Sequence, residues 1–414
     1  MVKCLWLTLA DPDPPTNGQF LYTARLVKAV AAAGVEVHLA GLARPEARHR
    51  SGEEAEGIRW WLAEHRPRAA WQSVFSILPS QVYRTRTAEL RRLVAALLRP
   101  SPGWDAIIID SHTLGWAVFP VLRRYARQRR RPVLAYLANN HEESVARRRA
   151  AAEAHPVKRQ WKRLEAVKAT WLERQLVRAA DLVTANTPED CARFRALSPG
   201  KPVEFLPPGY DGPAVAARRI GPELPRRALI LGSFDWSAKR RDLEAFLDTA
   251  DALFAAAGIE LQIVGSGDEA FLRRLRARTV AARFTGRIVD IAAPMAEARL
   301  ALVVERFGGF KLKALDYVFN RLPIFGILGA VPGMPLRSPE SIMLFPNHKQ
   351  LAQGVVQAID DFARLNAMQE RAYAACQGQF VGAAIVARLL AAMTASRPRC
   401  RPEISPPGVP AIIE

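Results

Sequence analysis

The sequence predicts an α/β protein built from two Rossmann-like, doubly wound domains that face a central crevice. Short aliphatic runs alternate with stretches of helical spacing from the first residues onward, the signature of strand–helix units feeding a parallel sheet. The alternation comes as two series, interrupted around Leu206–Gly221 by Pro, Gly and Asp. The 414 residues also suit two domains rather than one.

In the first series, Leu5–Leu9 reads as a strand and a Pro/Asn/Gly loop follows. Phe20–Ala33 then carries apolar residues at helical spacing until Gly34 stops it. Val35–Leu42, Ala106–Asp110, Pro132–Leu137 and Leu182–Ala185 are further strands, each an aliphatic run that ends in polar residues. The second series opens with Ala228–Gly232 and continues with Leu261–Val264, ending in Gly265-Ser-Gly267. Ala281–Thr285 runs into Gly286-Arg287, and Leu300–Val304 runs into Glu305. The expected division is a first domain over residues 1–208, a second over 209–395 and a disordered Pro/Arg-rich tail over 396–414, with a hinge near 207–222.

Composition narrows the function. No apolar run reaches roughly 18 residues and no charged leader with a cleavage site opens the chain, so neither a membrane span nor a signal peptide is expected, which points to the cytoplasm. Cys4, Cys191, Cys376 and Cys400 are scattered without a CxxC pair, so structural zinc is not expected, and no other metal-ligand pattern stands out. The formal charge of +19 calls for anionic partners. Nucleic acid is disfavoured, because basic and aromatic residues do not interleave as a recognition motif. The basic excess gathers in Arg123–Arg131 and in an expected helix from Arg147 to Arg178, where Trp161, Leu164 and Trp171 share a face. Peripheral contact with an anionic inner membrane surface would use such a face, and a solvated Arg-rich surface is the competing reading.

Ligands of open α/β sheets bind beyond the carboxyl ends of the strands, so chemistry belongs on the loops there. The most informative is ERFGGFKLKALDYVFNRLP, residues 305–323. Gly308 and Gly309 free the backbone to approach a ligand, and the following helix offers unpaired amides and a positive dipole to phosphates. A diphosphate is the expected guest, with Phe310, Lys311, Leu312 and Lys313 around the turn and Asp316 one turn on, able to accept from ribose hydroxyls. An ordinary loop and amphipathic helix is the alternative. His112, in Asp110-Ser-His112, stands at a strand end and hence at the crevice mouth. Asn140 and Glu142, in Asn139-Asn-His-Glu142, stand at the next strand end, to bind hydroxyls or to cap a helix. Asn17-Gly18 opens the first helix.

The 305–323 segment resembles the donor loop of the family 4 retaining glycosyltransferases, of GT-B architecture, in the branch that reads G-x-G-x-K-L-K-x-L-E. Asp316 matches the second acidic residue of that family's paired-glutamate motif, which holds the ribose; Gly308 stands where the first glutamate would be, as in that branch. Gly232-Ser-Phe-Asp235-Trp-Ser-Ala-Lys239-Arg240 resembles the family's G-S-x-D-W-x-x-N region, with Lys239 where the motif has Asn. There a basic pair neutralises the donor diphosphate, and Lys239 with Arg240 or Arg241 are the candidates. Gly18 falls at the family's glycine-rich loop, His112 at its sugar-contacting histidine, and Asn140 and Glu142 within its H-N-x-E motif. Gly265 belongs to the I-V-G-x-G strand, and Gly286-Arg287-Ile288 to the segment whose backbone recognises the base. Leu206–Asp211 stands at the interdomain turn, and Phe380–Ala391 at the last helix, which returns to the first domain.

The resemblance implies a cytoplasmic, bacterial-type glycosyltransferase of glycoconjugate or polysaccharide biosynthesis. It would move a sugar from a nucleoside-diphosphate sugar, such as a UDP-sugar, to a saccharide, lipid-linked or small-molecule acceptor. Transfer is expected to be metal-independent, with retention, with no covalent intermediate and with no cofactor beyond the sugar donor. Lys239, Arg240 and Lys311 would carry the departing diphosphate while His112 supports the oxocarbenium-like sugar. The alternative is a catalytically degenerate GT-B protein serving as a binding or scaffold subunit, motivated by Gly308, Asp316 and the single glycine at 18.

Overall fold

The computed structural model of the chain describes residues 2–397 apart from 65–67, 100–102, 127, 129, 289 and 307. Cys400, the tail from residue 398 and part of the Arg123–Arg131 stretch lie outside the described residues.

Two sheets organise the chain. The first holds β1 (Lys3–Ala10), β2 (Glu36–Leu42), β3 (Glu54–Ala55), β4 (Ile58–Ala63), β5 (Ala106–Asp110), β6 (Val133–Ala138), β7 (Leu182–Ala185) and β8 (Val203–Phe205). Their order is β3-β4-β2-β1-β5-β6-β7-β8, parallel except where β3 meets β4. The second holds β9 (Arg227–Phe234), β10 (Glu260–Gly267), β11 (Ala282–Gly286), β12 (Leu300–Val303), β13 (Ile324–Ile327) and β14 (Met343–Phe345), in the order β11-β10-β9-β12-β13-β14 and parallel throughout. Strand order reverses on either side of β1 in one sheet and of β9 in the other, which opens a crevice at the carboxyl ends of β1/β5 and β9/β12.

Helices cover both faces of each sheet, so the central strands are buried on both sides and read as unbroken aliphatic runs. Every residue of β5, β6 and β12 is buried. Ile107, Ile108 and Ile109 are fully buried, each worth about 1.5–3 kcal/mol of transfer free energy. Gly34 ends the helix Gly18–Ala32 at φ 85°. The last helix, Gly382–Ala395, sets Ile385, Val386, Leu389 and Met393 against Cys4 and Trp6 of the first sheet's core.

Two expectations need correction. The continuous helix over Arg147–Arg178 is two helices, Glu142–Ala151 and Pro156–Ala179, because His155 precedes a proline and is held extended at φ −74°, ψ 123°. Trp171 is not part of a free face: it is half-buried and stacks on Phe119 with ring centroids 5.8 Å apart. As the I-V-G-x-G resemblance implies, β10 carries Gly265–Gly267, in register with Gly232–Phe234 of β9. Residues 45–100, where the sequence pattern is thin, supply β3, β4 and several short helices.

Candidate functional site

On the second domain the crevice floor is made of backbone. Gly265 has φ 145°, and a Cβ there would lie 1.6 Å from the carbonyl oxygen of Gly232. Only glycine fits, and the floor stays shallow as a result. Asp235 follows on β9's exit loop, exposed and accepting from Ser233 Oγ at 2.6 Å.

Beyond β12 the chain turns through Glu305 into the helix Leu312–Phe319. Glu305 is buried, and Lys313 Nζ donates to both its oxygens, at 2.6 and 2.8 Å, and to the Leu231 carbonyl at 2.9 Å. Burial alone would raise the Glu305 pKa, but the ammonium groups of Lys313, Lys311 and Lys239 outweigh it and hold the carboxyl at about 2. Burial pulls Lys311 down to about 8, and burial followed by Lys313 lowers Lys239. Three lysines thus face the Glu305 carboxylate, with Asp242 acting on Lys311 and Asp235 on Lys239 beside it. Gly308, at φ 114°, keeps the turn open beside them; a Cβ there would meet Lys311 Nζ at 2.7 Å.

Neither helix that starts at this cluster is capped by a side chain. Leu312–Phe319 follows Lys311, and Ser237–Ala256 follows Trp236, in both cases without a side-chain hydrogen bond to the first turn. First-turn amides left this way are donors for an anion. Of the basic residues after β9, Lys239 joins the cluster. Arg240 leans instead toward Asp268, 3.9 Å away, and the Phe271 ring. Arg241 is exposed and lines a small groove with Arg148, Arg149, Trp236 and Gly308. Asp316 is half-buried; burial raises its carboxyl to about 6 against the influence of Arg25, whose guanidinium ion-pairs with Asp211. Arg287 is exposed beyond β11, Ile288 packs into the second domain, and Phe310 packs against Phe380 at 5.7 Å.

The first domain supplies the opposite wall. Asn17 caps the helix Gly18–Ala32 by accepting from Phe20 N at 3.0 Å, and a Cβ on Gly18 would sit 3.2 Å from Leu312 Cδ1. The two loops therefore meet across the crevice. Arg44 pins the loop before Asn17 by donating to the carbonyls of Asp11 and Pro14, both at 2.7 Å. His112 follows Ser111, which is held at φ 75°. The His112 ring is buried with Nε2 3.3 Å from the Ala169 carbonyl, and burial lowers its pKa despite Glu142 nearby, so it is neutral at pH 7.

Asn140 touches the donor-side loop: a Cβ on Gly309 would lie 2.7 Å from Asn140 Oδ1 and 2.8 Å from the Asn139 carbonyl. Helix capping here belongs to His141, whose Nδ1 accepts from Ser144 N at 3.3 Å, and Asn140 Nδ2 donates to Glu142 Oε1 at 3.2 Å. The amides of Glu142 and Glu143 donate to Glu173, at 2.8 and 2.9 Å, a buried carboxyl that burial pushes up to about 8. Glu173, Glu305 and Arg44 were not singled out by the sequence. Glu305 is signalled by its place at a strand end, whereas the other two are paired through tertiary contacts. Among the described residues, no group of three or more His, Cys, Asp or Glu side chains is arranged to hold a metal ion.

Residues 17–209 match the family model of the glycosyl transferase 4-like domain, and residues 225–361 match that of the glycosyl transferases group 1. The chain is a glycosyltransferase with a 4-like domain followed by a group 1 domain. No curated protein matches it in sequence. Among solved structures, this glycosyltransferase is similar to sucrose-phosphate synthase from Thermosynechococcus elongatus, at TM-score 0.69 and 19% identity over 95% of this chain and 99% of that one. WaaG, a glycosyltransferase involved in lipopolysaccharide biosynthesis, superposes at TM-score 0.64 with 17% identity over 94% and 99% of the two chains. Anabaena HepE, solved in complex with UDP-glucose, superposes at TM-score 0.63 with 14% identity over 95% and 100%. At such identities the likeness speaks to the fold, which is GT-B: two Rossmann-like domains across a crevice.

Proposed function

We propose that the protein transfers a sugar from a nucleoside-diphosphate sugar, with UDP the favoured carrier, to a saccharide or lipid-linked acceptor. Transfer proceeds without a metal and with retention at the anomeric carbon. The observation that carries this reading is the convergence of Lys239, Lys311 and Lys313 on the buried carboxylate of Glu305, beside two helix starts without side-chain caps. Fixed positive charge of this kind stabilises a diphosphate most as the glycosidic bond breaks, when its charge grows. UDP is favoured because HepE is solved with UDP-glucose and the pneumococcal O-GlcNAc transferase GtfA with UDP and GlcNAc.

In this mechanism Lys311 and Lys239 meet the diphosphate, helped by amides of the first turn after Lys311. Lys313 holds the loop through Glu305 rather than touching the donor. Asp316 accepts from the ribose hydroxyls, while the backbone at Gly286–Ile288 receives the base. Gly308 and Gly309 bring the chain close to the sugar, and neutral His112, together with Asn140 and Glu142, hydrogen-bonds its hydroxyls. The acceptor attacks the face that the diphosphate leaves, and no enzyme-bound sugar forms.

The test is thermal unfolding against UDP, GDP, dTDP, ADP and CMP. A ligand at about 100 times its dissociation constant adds about 2.7 kcal/mol to stability. A shift with UDP above the others supports the reading. No shift with any nucleotide would overturn it, and UDP binding without turnover on any acceptor would favour a scaffold subunit.

A further inference from the structure

Single exposed apolar residues are ordinary on a protein surface, but a cluster of large ones on one short segment is not. Trp71, Phe75 and Ile77 are 67%, 88% and 62% exposed, and Val74 between them is exposed as well. They lie on a short 3-10 helix, Ala70–Phe75, and the residues just after it. The segment is fastened from beneath. Lys168 Nζ donates to the carbonyl of fully buried Ser73 at 2.8 Å, and Ser80 N donates to Glu165 Oε2 at 2.6 Å. Both anchors are on the helix Pro156–Ala179, so these side chains are displayed on a fixed platform.

The platform helix and its neighbour carry exposed apolar residues of their own. Leu164 and Val167 are exposed on the same helix, and Phe119, stacked on its Trp171, is exposed together with Leu122 on the helix Val118–Tyr125. The same elements carry exposed cations: Lys158 and Arg163 on the long helix, Arg123 next to Leu122 in the chain, and Arg84 on the helix that follows the segment. Large aromatic side chains beside exposed lysine and arginine match the headgroup level of an anionic bilayer, where rings settle at the interface and cations meet lipid phosphates. No described helix is long and apolar enough to cross a membrane, so contact would be from one side.

We propose that the 70–77 segment, with the outer face of the helix Pro156–Ala179, docks this protein on an anionic phospholipid surface, Trp71, Phe75 and Ile77 entering the headgroup boundary. The same helix receives the His112 ring at the Ala169 carbonyl, one residue from Lys168. Docking there sets the first-domain wall of the crevice beside the membrane. That the acceptor is consequently lipid-linked rests on the transfer reaction proposed above; the docking itself does not.

The test is co-sedimentation of the full chain with phosphatidylcholine vesicles, with and without phosphatidylglycerol, at low and high salt. The native chain binds the phosphatidylglycerol vesicles, and binding weakens with salt as screening predicts. The triple variant Trp71→Ser, Phe75→Ser, Ile77→Ser binds them at least roughly tenfold more weakly. Its melting temperature and its UDP-induced shift stay those of the native chain. Failure of the native chain to bind at low salt, or undiminished binding by the variant, overturns the proposal. A native chain that dimerises through this segment without binding vesicles would also overturn it, in favour of a second copy as the occupant. The UDP shift is read in solution, so its absence would speak against the donor site and not against docking.

Discussion

Between β12 and the helix Leu312–Phe319, the second domain fixes its ligand-facing backbone from inside, with a buried Glu305–Lys313 pair tied to the neighbouring strand and glycines where no side chain fits. The 70–77 segment of the first domain is tied to a helix by one hydrogen bond at Ser73 and by another at Ser80 just beyond it, and its large side chains are exposed. In the first region, the groups that shape the site are also the groups that hold the fold. In the second, binding and stability are carried by different atoms. Substitutions should therefore act on both properties at once near the donor loop, and on one at a time at the outer segment.

The contrast can be broken most forcefully at Lys313. Lys313→Met removes the close partner of a buried carboxylate, a change that costs about 3–5 kcal/mol in stability, and UDP affinity should fall with it. Urea denaturation beside a UDP titration measures both; a variant that loses one property and keeps the other would separate what the structure joins. Gly265→Ala comes next. Its Cβ would overlap the Gly232 carbonyl oxygen at a positive φ, so about 2–4 kcal/mol is expected from overpacking and backbone strain together. A chemical denaturation curve indistinguishable from the native one would show that the β9–β10 floor relaxes easily. Against these, the outer triple variant described above should leave stability within about 0.5 kcal/mol of the native chain in total.

The same contrast explains what could be read in the sequence. Strands β5, β6 and β12 are legible because a strand buried on both faces must be apolar throughout. The turn over 305–313 is legible as a candidate because paired glycines and lysines stand out directly after a fully apolar strand. β4 is not, since Arg59 breaks its apolar run near the start and the pattern fits no single period. Nor are the partners of the site residues. The bond from Arg44 to the loop before Gly18 and the bonds from Glu142 and Glu143 to Glu173 join positions about 30 residues apart, through tertiary folding alone. The break at Pro156 was written in the sequence, but the run of arginines and aliphatics on both sides gave one helical period. The outward exposure of Trp71 and Phe75 had no signal, because the same residues would suit a core.

The most direct test of the donor site is calorimetric titration of UDP-glucose across pH 5 to 9. Asp316, raised by burial to about 6, accepts hydrogen bonds about twice as strongly when ionised, so affinity should fall as the pH drops through about 6. Lys311, lowered by burial to about 8, attracts the diphosphate only when protonated, so affinity should also fall as the pH rises through about 8. The expected result is a plateau between those values, with the alkaline limb gone and the affinity reduced in Lys311→Met. A profile flat from end to end, or one that Lys311→Met leaves unchanged, would contradict the assignment of these residues to the donor.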